Sequence, residues 1–192
     1  MKATEILERE HRVIERVAGA CGTCAEVLRK GAKVPADILE SIVEFLRVYG
    51  DQYHHEEEQL LFSMLREKGV PSGSCPIAVL DYENQKLEAL SDQLSSAVSV
   101  YVKSDGAVTD TLIDTLHSLA ELYPDHIWKE DYLLLPMADK LLSEADQETL
   151  AESMHLVDSG VGEGARYTVE NFSTAIRLCS ESVCLWEQAN VA

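Results

Sequence analysis

The chain has 192 residues, enough for one medium-sized domain with a substantial core and too few for two comfortable ones. Its formal net charge of −18, from 16 basic against 34 acidic residues, repels phosphate backbones and anionic lipids, so we expect neither a nucleic-acid nor a membrane partner. The odd number of cysteines, five, does not suggest a disulfide framework, the N-terminus is charged, and no apolar run is long enough for a membrane span, which together predict a cytoplasmic protein.

Glycine and proline occur at a few points only, and the segments between them repeat their apolar residues with the period of an α-helix. The pattern predicts four long helices followed by two more, at about residues 3–30, 36–68, 76–103, 108–142, 143–158 and 165–188. Because short connections join the long helices, the predicted fold is all-α: an antiparallel, up-down-up-down four-helix bundle over residues 1–142. Residues 143–192 are predicted to form a C-terminal helical extension packed on the bundle.

The second and fourth helices each carry a histidine and a glutamate on the stripe that should face the core. In HHEEEQLLFSML, residues 54–65, His54 and Glu58 align with apolar residues, and in HIWKEDYLLLPM, residues 126–137, His126 and Glu130 do the same. Residues four apart lie on the same face of a helix, so each pair can present both side chains to one point. Both pairs are therefore predicted to point into the bundle.

An internal repeat relates the two halves of the bundle. ILEREHRVIERV, residues 6–17, matches VLDYENQKLEAL, residues 79–90, and in this register His11 corresponds to Asn84. Residues 54–65 of the second helix match residues 126–137 of the fourth in the same way, with His54 corresponding to His126. We therefore expect a pseudo-twofold axis that brings these polar positions to one level of the bundle.

Buried histidines and carboxylates in this number indicate a metal site. A buried carboxylate without a partner costs several kcal/mol, and several together repel one another unless a cation is present. A single buried histidine is more often a hydrogen-bonded core residue, but the predicted set lies on core stripes and repeats in register. Imidazole with carboxylate suits iron, manganese or zinc. The predicted ligands are His11, His54, Glu58, His126 and Glu130, whereas Glu56 and Glu57 are expected at the surface.

These motifs resemble the hemerythrin-like HHE cation-binding family over about residues 3–142, through EHRVI, YHHEEEQLLF, PIAVLDYEN and DHIWKEDYLLLPMA. The resemblance implies a non-haem di-iron centre with bridging carboxylates. It also implies Asp131 as a ligand, because the oxygen-carrying members use His-x-x-x-x-Asp, here His126 and Asp131. On a regular helix Glu130 faces His126 better, while Pro124 and Pro136 would support a bulge that turns Asp131 inward, so both remain candidates.

The third helix departs from the family pattern. The family places histidine there, and this chain has Asn84. Asn84 would bind weakly through its amide oxygen, Asp81 or Glu88 would substitute as a carboxylate ligand, or water would fill the position.

The resemblance implies a protein that binds or senses dioxygen or a related small ligand, such as peroxide or nitric oxide, or that handles iron. One alternative is an enzyme, a di-iron peroxidase or a nitric oxide-reducing enzyme. Another is an iron-responsive regulatory or interaction module, in which the segment from Ser143 onward reports metal occupancy to a protein partner.

Overall fold

The computed structural model describes residues 1–157, which form helices joined by short connections and contain no strand. The helices are α1 (Ala3–Arg29), α2 (Ala36–Phe45), α3 (His55–Glu67), α4 (Ile77–Lys103), α5 (Asp110–Lys129), α6 (Leu135–Leu141) and α7 (144–157). A π-helical segment, Leu46–His54, joins α2 to α3, and a second, Glu130–Leu134, joins α5 to α6. The all-α fold predicted from the sequence is confirmed, and the helix predicted at 165–188 lies outside the described residues.

Two apolar cores lie at opposite ends of the bundle, which we call the upper core and the lower core. Ile14, Leu46, Leu87 and Tyr123 belong to the upper core. Leu7, Leu61, Leu80 and Leu134 belong to the lower core. The chain therefore passes from lower to upper core along α1, returns along α2 and α3, rises again along α4 and descends along α5 and α6. This alternation is the predicted up-down-up-down order.

Local sequence signals set the ends of the helices. Gly31 and Gly69 follow α1 and α3 with φ of 80° and 95°, a backbone conformation that glycine adopts without steric cost. In each case the residue after the glycine donates back to the last turn of the helix, at 3.1 Å for Ala32 and 3.0 Å for Val70. These closures allow the short reversals between antiparallel helices.

The two π-helical segments correct the prediction of uninterrupted α-helices at 36–68 and 108–142. A π turn holds one more residue than an α turn, so every side chain that follows is rotated relative to a regular helix. Hydrophobic periodicity does not reveal one inserted residue. Both segments fall where the second and fourth helices carry their histidine and glutamate motifs.

Helix α7 packs beneath the lower core. Its Gln147 accepts the backbone N–H of Ala3 at 3.0 Å, and Leu150 and Met154 join the lower core. Ser143 and Asp146 cap its start, with Asp146 accepting from the Ser143 backbone at 2.9 Å. The first part of the predicted extension thus contacts the bundle, and residues 158–192 lie outside the described residues.

None of the helices within residues 1–157 has both the length and the hydropathy of a membrane span.

Candidate metal centre

Five polar side chains meet in a layer between the upper and lower cores. They come from α1, from the end of the first π-helical segment, from α3, from α5 and from the start of the second π-helical segment: His11, His54, Glu58, His126 and Glu130. The most exposed of them, His54, is 6% exposed. The structure thus brings together the five residues that the core stripes predicted, and their role as ligands stays a prediction.

The five side chains form two groups of three that share Glu130. One donor atom each from His11, His54 and Glu130 lies within 4.8 Å of the other two, and the same holds for Glu58, His126 and Glu130. The two Glu130 oxygens face different histidines. Oε2 lies 3.0 Å from His11 Nε2, and Oε1 lies 3.7 Å from His126 Nε2. A carboxylate in this position can bridge two cations.

Each of the three histidines is oriented by a carboxylate on its outer nitrogen. Nδ1 of His54 lies 2.8 Å from Glu10, and Nδ1 of His126 lies 3.1 Å from Glu83. The outer nitrogen of His11 lies 2.6 Å from Asp131. A carboxylate on one ring nitrogen fixes the tautomer and turns the other nitrogen, here Nε2, toward the centre, as is usual for metal-binding histidines.

Sequence reasoning missed Glu10 and Glu83 in this role. The internal repeat carried the signal, because Glu10 matches Glu83 in the aligned first and third helices, and the histidines that they contact, His54 and His126, match in the second and fourth. The two contacts join residues 44 and 43 positions apart, so no local pattern reveals them.

The structure gives Glu130 and Asp131 different positions. Glu130 points into the polar layer, whereas the Asp131 side chain is 12% exposed and lies between His11 and Arg12, contacting both. The predicted bulge is present as the second π-helical segment. Because Glu130 begins that segment, it keeps its place facing His126, and Asp131 orients His11 from the side.

The third predicted helix is α4 in the structure, and the residue by which it faces the five-residue layer is an amide, Asn84. Asn84 donates through Nδ2 to Glu58 Oε2 at 2.5 Å. Asp81 instead binds Arg66 at 2.8 Å and Gln59 at 3.1 Å, away from the centre. Glu88 is exposed. The structure therefore does not bring Asp81 or Glu88 to the cluster, since neither lies on the row of α4 that faces the core.

Glu57 is 1% exposed, so its expected surface position is wrong, whereas Glu56 is exposed as expected. Glu57 and Glu58 lie three and four residues after His54, so both are close to its buried face of the helix. Glu57 and Glu10 line a cavity of about 290 Å³ on the outer side of His54, together with Tyr49 and Tyr53.

Burial and mutual charge shift the ionisation of the cluster strongly. Burial, followed by the charge of Glu130, raises the pKa of Glu58 well above its usual range. Burial opposes ionisation of Glu130 too, but the charges of His126 and His11 outweigh it and lower the pKa of Glu130. Burial alone would lower the pKa of His11, yet Glu130 and Asp131 raise it to about 9. In the metal-free protein, bound protons thus compensate the negative charge of the buried carboxylates. A bound cation would compensate the same charge.

Several inward-facing atoms of the layer are buried and make no hydrogen bond of normal geometry, although the first and last of them lie 3.0 Å apart: His11 Nε2, His54 Nε2, Glu58 Oε1 and Glu130 Oε2. Buried polar atoms of this kind are rare, and a cluster of them calls for a specific explanation. All four are potential metal donors. The residues present therefore fit a cation that accepts nitrogen and carboxylate ligands, such as iron, manganese or zinc.

A cavity of about 20 Å³, which we call the chamber, adjoins the centre on the side of the upper core. Its polar lining comes from Asp51, His54, His55, Asn84, Tyr123 and His126, and Gly50 and the apolar Ile14, Leu87 and Ile127 complete the wall. A side-chain Cβ at Gly50 would lie 3.1 Å from the Tyr123 hydroxyl, so glycine lets the phenol approach. Tyr123 lines the chamber, whereas Tyr53 is half-buried and Tyr82 is 62% exposed.

Comparison with known proteins agrees with this architecture. The model of the hemerythrin HHE cation binding domain matches residues 2–138. An uncharacterized protein of Mycobacterium bovis and two of Mycobacterium tuberculosis are each 25% identical to the chain over 152 residues, which is 79% of this chain and 59% of theirs. The chain thus spans about 59% of the length of these curated relatives. No solved structure matches. With its two histidine–glutamate motifs inside the matched range, the chain belongs to the hemerythrin HHE cation-binding domain family.

Proposed function

We propose that this chain is a non-haem di-iron protein that binds or senses dioxygen or a related small ligand. The residues that would hold the iron are the two groups of three that share Glu130. Iron held there would supply a change between two oxidation states and an affinity for small ligands that the protein's own side chains lack. The family assignment supports cation binding, and the ligand is our proposal.

The size and lining of the chamber carry the proposal. About 20 Å³ is room for roughly one water-sized molecule, and an organic substrate does not fit. His54 and His126, one from each group of three, both border this space. A molecule in the chamber therefore lies directly beside the centre, and its size is limited to that of dioxygen, nitric oxide or peroxide.

The surrounding residues would assist by orienting the ligands and excluding bulk water. Ile14, Leu87 and Ile127 present an apolar wall, and each is nearly fully buried. Glu10 and Glu83 hold the imidazole rings from outside. The site is thus organised before any ligand arrives, which lowers the cost of binding.

We also propose a cytoplasmic location. Cys21 and Cys75 form no disulfide within the described residues, which supports a reducing compartment.

The experiment is metal analysis of the purified protein followed by anaerobic loading with Fe²⁺ and optical spectroscopy. We expect about two iron ions per chain and an absorption band that appears on admitting air and disappears on its removal. Glu121→Gln, at an exposed position on α5, should behave as the wild type. Catalytic loss of hydrogen peroxide without a reversible band would favour the enzyme instead. Zinc or manganese in place of iron, with no response to air, would refute the proposal.

A further inference from the structure

Asp51 is a carboxyl group that lines the chamber and that the proposed iron site does not use. It lies in the first π-helical segment, one turn before His54, and is half-buried. Tyr123 and His126 of α5 contribute further polar lining. Among the described residues, Asp51 is therefore the one acidic residue of the chamber wall, and it is separate from the two groups of three that share Glu130.

The surroundings of Asp51 favour its protonated form. Burial and then the charge of Glu88 raise the pKa of Asp51 to about 7, while Ser91 and Arg47 act in the opposite direction. A carboxyl group with this pKa is divided between a neutral form, which can donate a hydrogen bond, and an anion, which can only accept. The division falls within the physiological range of pH.

Charged and titratable groups face Asp51 from several elements. Arg47 shares its segment, Glu88 and Asp92 approach from α4, and all three are exposed to solvent. His54, His55 and His126 also line the chamber, and Cys21 of α1 lies near Tyr123. Burial keeps the pKa of the Cys21 thiol at about 12 and that of Tyr123 well above its usual range, so both stay neutral near pH 7.

Ser91 connects Asp51 with Tyr123. Its side chain is 1% exposed and interacts with both groups, yet its hydroxyl oxygen has no hydrogen bond of normal geometry. Tyr123 is itself held against Gly50. One side of the chamber therefore carries hydroxyl and carboxyl groups whose remaining hydrogen-bonding capacity is available to a molecule inside it.

We propose that protonated Asp51 donates a hydrogen bond to the small ligand in the chamber and thereby makes the lifetime of the bound ligand fall as pH rises. The inference rests on the proposed function, since it concerns the same chamber. At low pH the carboxyl donates its hydrogen to the ligand. Above the pKa of about 7 the donor is lost, and the negative charge of Asp51 would face the bound ligand without a hydrogen bond to it.

Two substitutions at Asp51 separate donation from titration. Asp51→Asn retains an N–H donor and cannot ionise, so it should give a long ligand lifetime that does not vary with pH. Asp51→Ala removes the donor and should give a short lifetime at every pH. Asp114→Asn, at an exposed position on α5 that is not among the groups facing Asp51, is the matched control and should keep the wild-type profile.

The first measurement uses metal-free protein. The difference between the infrared spectra of the wild type and of Asp51→Asn, taken across about pH 5.5 to 8.5, should contain a protonated-carboxyl band that titrates near pH 7, following the pKa of Asp51. The buried Glu58, whose pKa is also raised, is common to both proteins and cancels in the difference. Asp114→Asn should give the same difference band, and the absence of the band from the wild-type difference would overturn the assignment to Asp51 without reference to iron.

The second measurement uses nitric oxide as the probe on protein loaded with Fe²⁺. We expect its dissociation to accelerate about tenfold between about pH 6 and pH 8.5 in the wild type, the effect of one hydrogen bond of ordinary strength. A lifetime that is the same at every pH would refute this inference and leave the proposed function standing. A wild-type protein that takes up no nitric oxide at any pH would refute the proposed function as well.

Discussion

Substituting Glu130 by glutamine should abolish binding of both cations, because Glu130 alone contributes to both groups of three. The amide has nearly the same shape, so the buried layer is retained. It carries no negative charge and is a much weaker metal ligand than a carboxylate. By contrast, His54 belongs to one group and His126 to the other. Substituting either histidine by glutamine should therefore remove one cation and leave its neighbour.

The structure thus predicts about two, one and zero cations per chain for the wild type, the histidine variants and Glu130→Gln. Each cation at a free concentration of about 100 times its Kd stabilises the fold by about 2.7 kcal/mol. For a chain of this length about 1 kcal/mol corresponds to roughly 2–4 °C in Tm. Loading should therefore raise Tm by roughly 10–20 °C in the wild type, by about half of that in each histidine variant, and by close to zero in Glu130→Gln.

Metal analysis and differential scanning calorimetry, each with and without Fe²⁺, measure the two quantities. Taking the difference on loading cancels any effect of the substitution on the metal-free fold. Glu88→Gln changes the same chemical group at an exposed position on α4 and should match the wild type. The shared-carboxylate arrangement would be refuted if Glu130→Gln still bound two cations tightly. It would also be refuted if Glu130→Gln lost one cation while each histidine variant lost both.

Three further predictions concern the surroundings of the centre. Glu83→Gln removes the carboxylate that orients His126 at 3.1 Å and should lower cation affinity about 10- to 100-fold by titration calorimetry, whereas exposed Glu121→Gln should not. Gly50→Ala places a methyl group 3.1 Å from the Tyr123 hydroxyl and should weaken nitric oxide binding at unchanged iron content. Gly19→Ala, at a position with open space around it, is the control. Equal nitric oxide binding by the two variants would contradict the assignment of the chamber. Because the pKa of His11 is raised to about 9, protonated His11 stabilises the metal-free fold by up to about 3 kcal/mol below about pH 6.5, and this contribution is lost as pH rises to about 9. Urea unfolding should show that decline in the free energy of unfolding of the wild type and a smaller decline in His11→Gln.

The sequence predicted the helices well because their apolar periodicity is strong and glycine or proline marks each break between the four long helices. Predicted bounds of 3–30 and 76–103 compare with Ala3–Arg29 and Ile77–Lys103 in the structure. The convergence of His11, His54 and His126 was also predictable, since each lies on an apolar stripe and the motifs repeat. Residues on a common stripe must share the core when the helices pack together.

Other features depend on contacts between helices that no local pattern records. A search for the ordinary helical period passes over the two π-helical segments, and only the second had a local signal, in Pro124 and Pro136. The contacts of Glu10 with His54 and of Glu83 with His126 join different helices, so only the internal repeat pointed to them.

The separation of the upper and lower cores by a polar layer has a consequence for the mechanics of the molecule. Each apolar cluster is continuous in itself, and the polar layer between them is where side chains from different helices meet as candidate ligands rather than as packed hydrocarbon. A cation bound there would hold these helices together. Its departure should loosen the bundle there first, so amide exchange in metal-free protein should quicken around residues 54–58 and 126–130 while both ends stay protected. The rigidity of the bundle would then depend on whether the centre holds a cation.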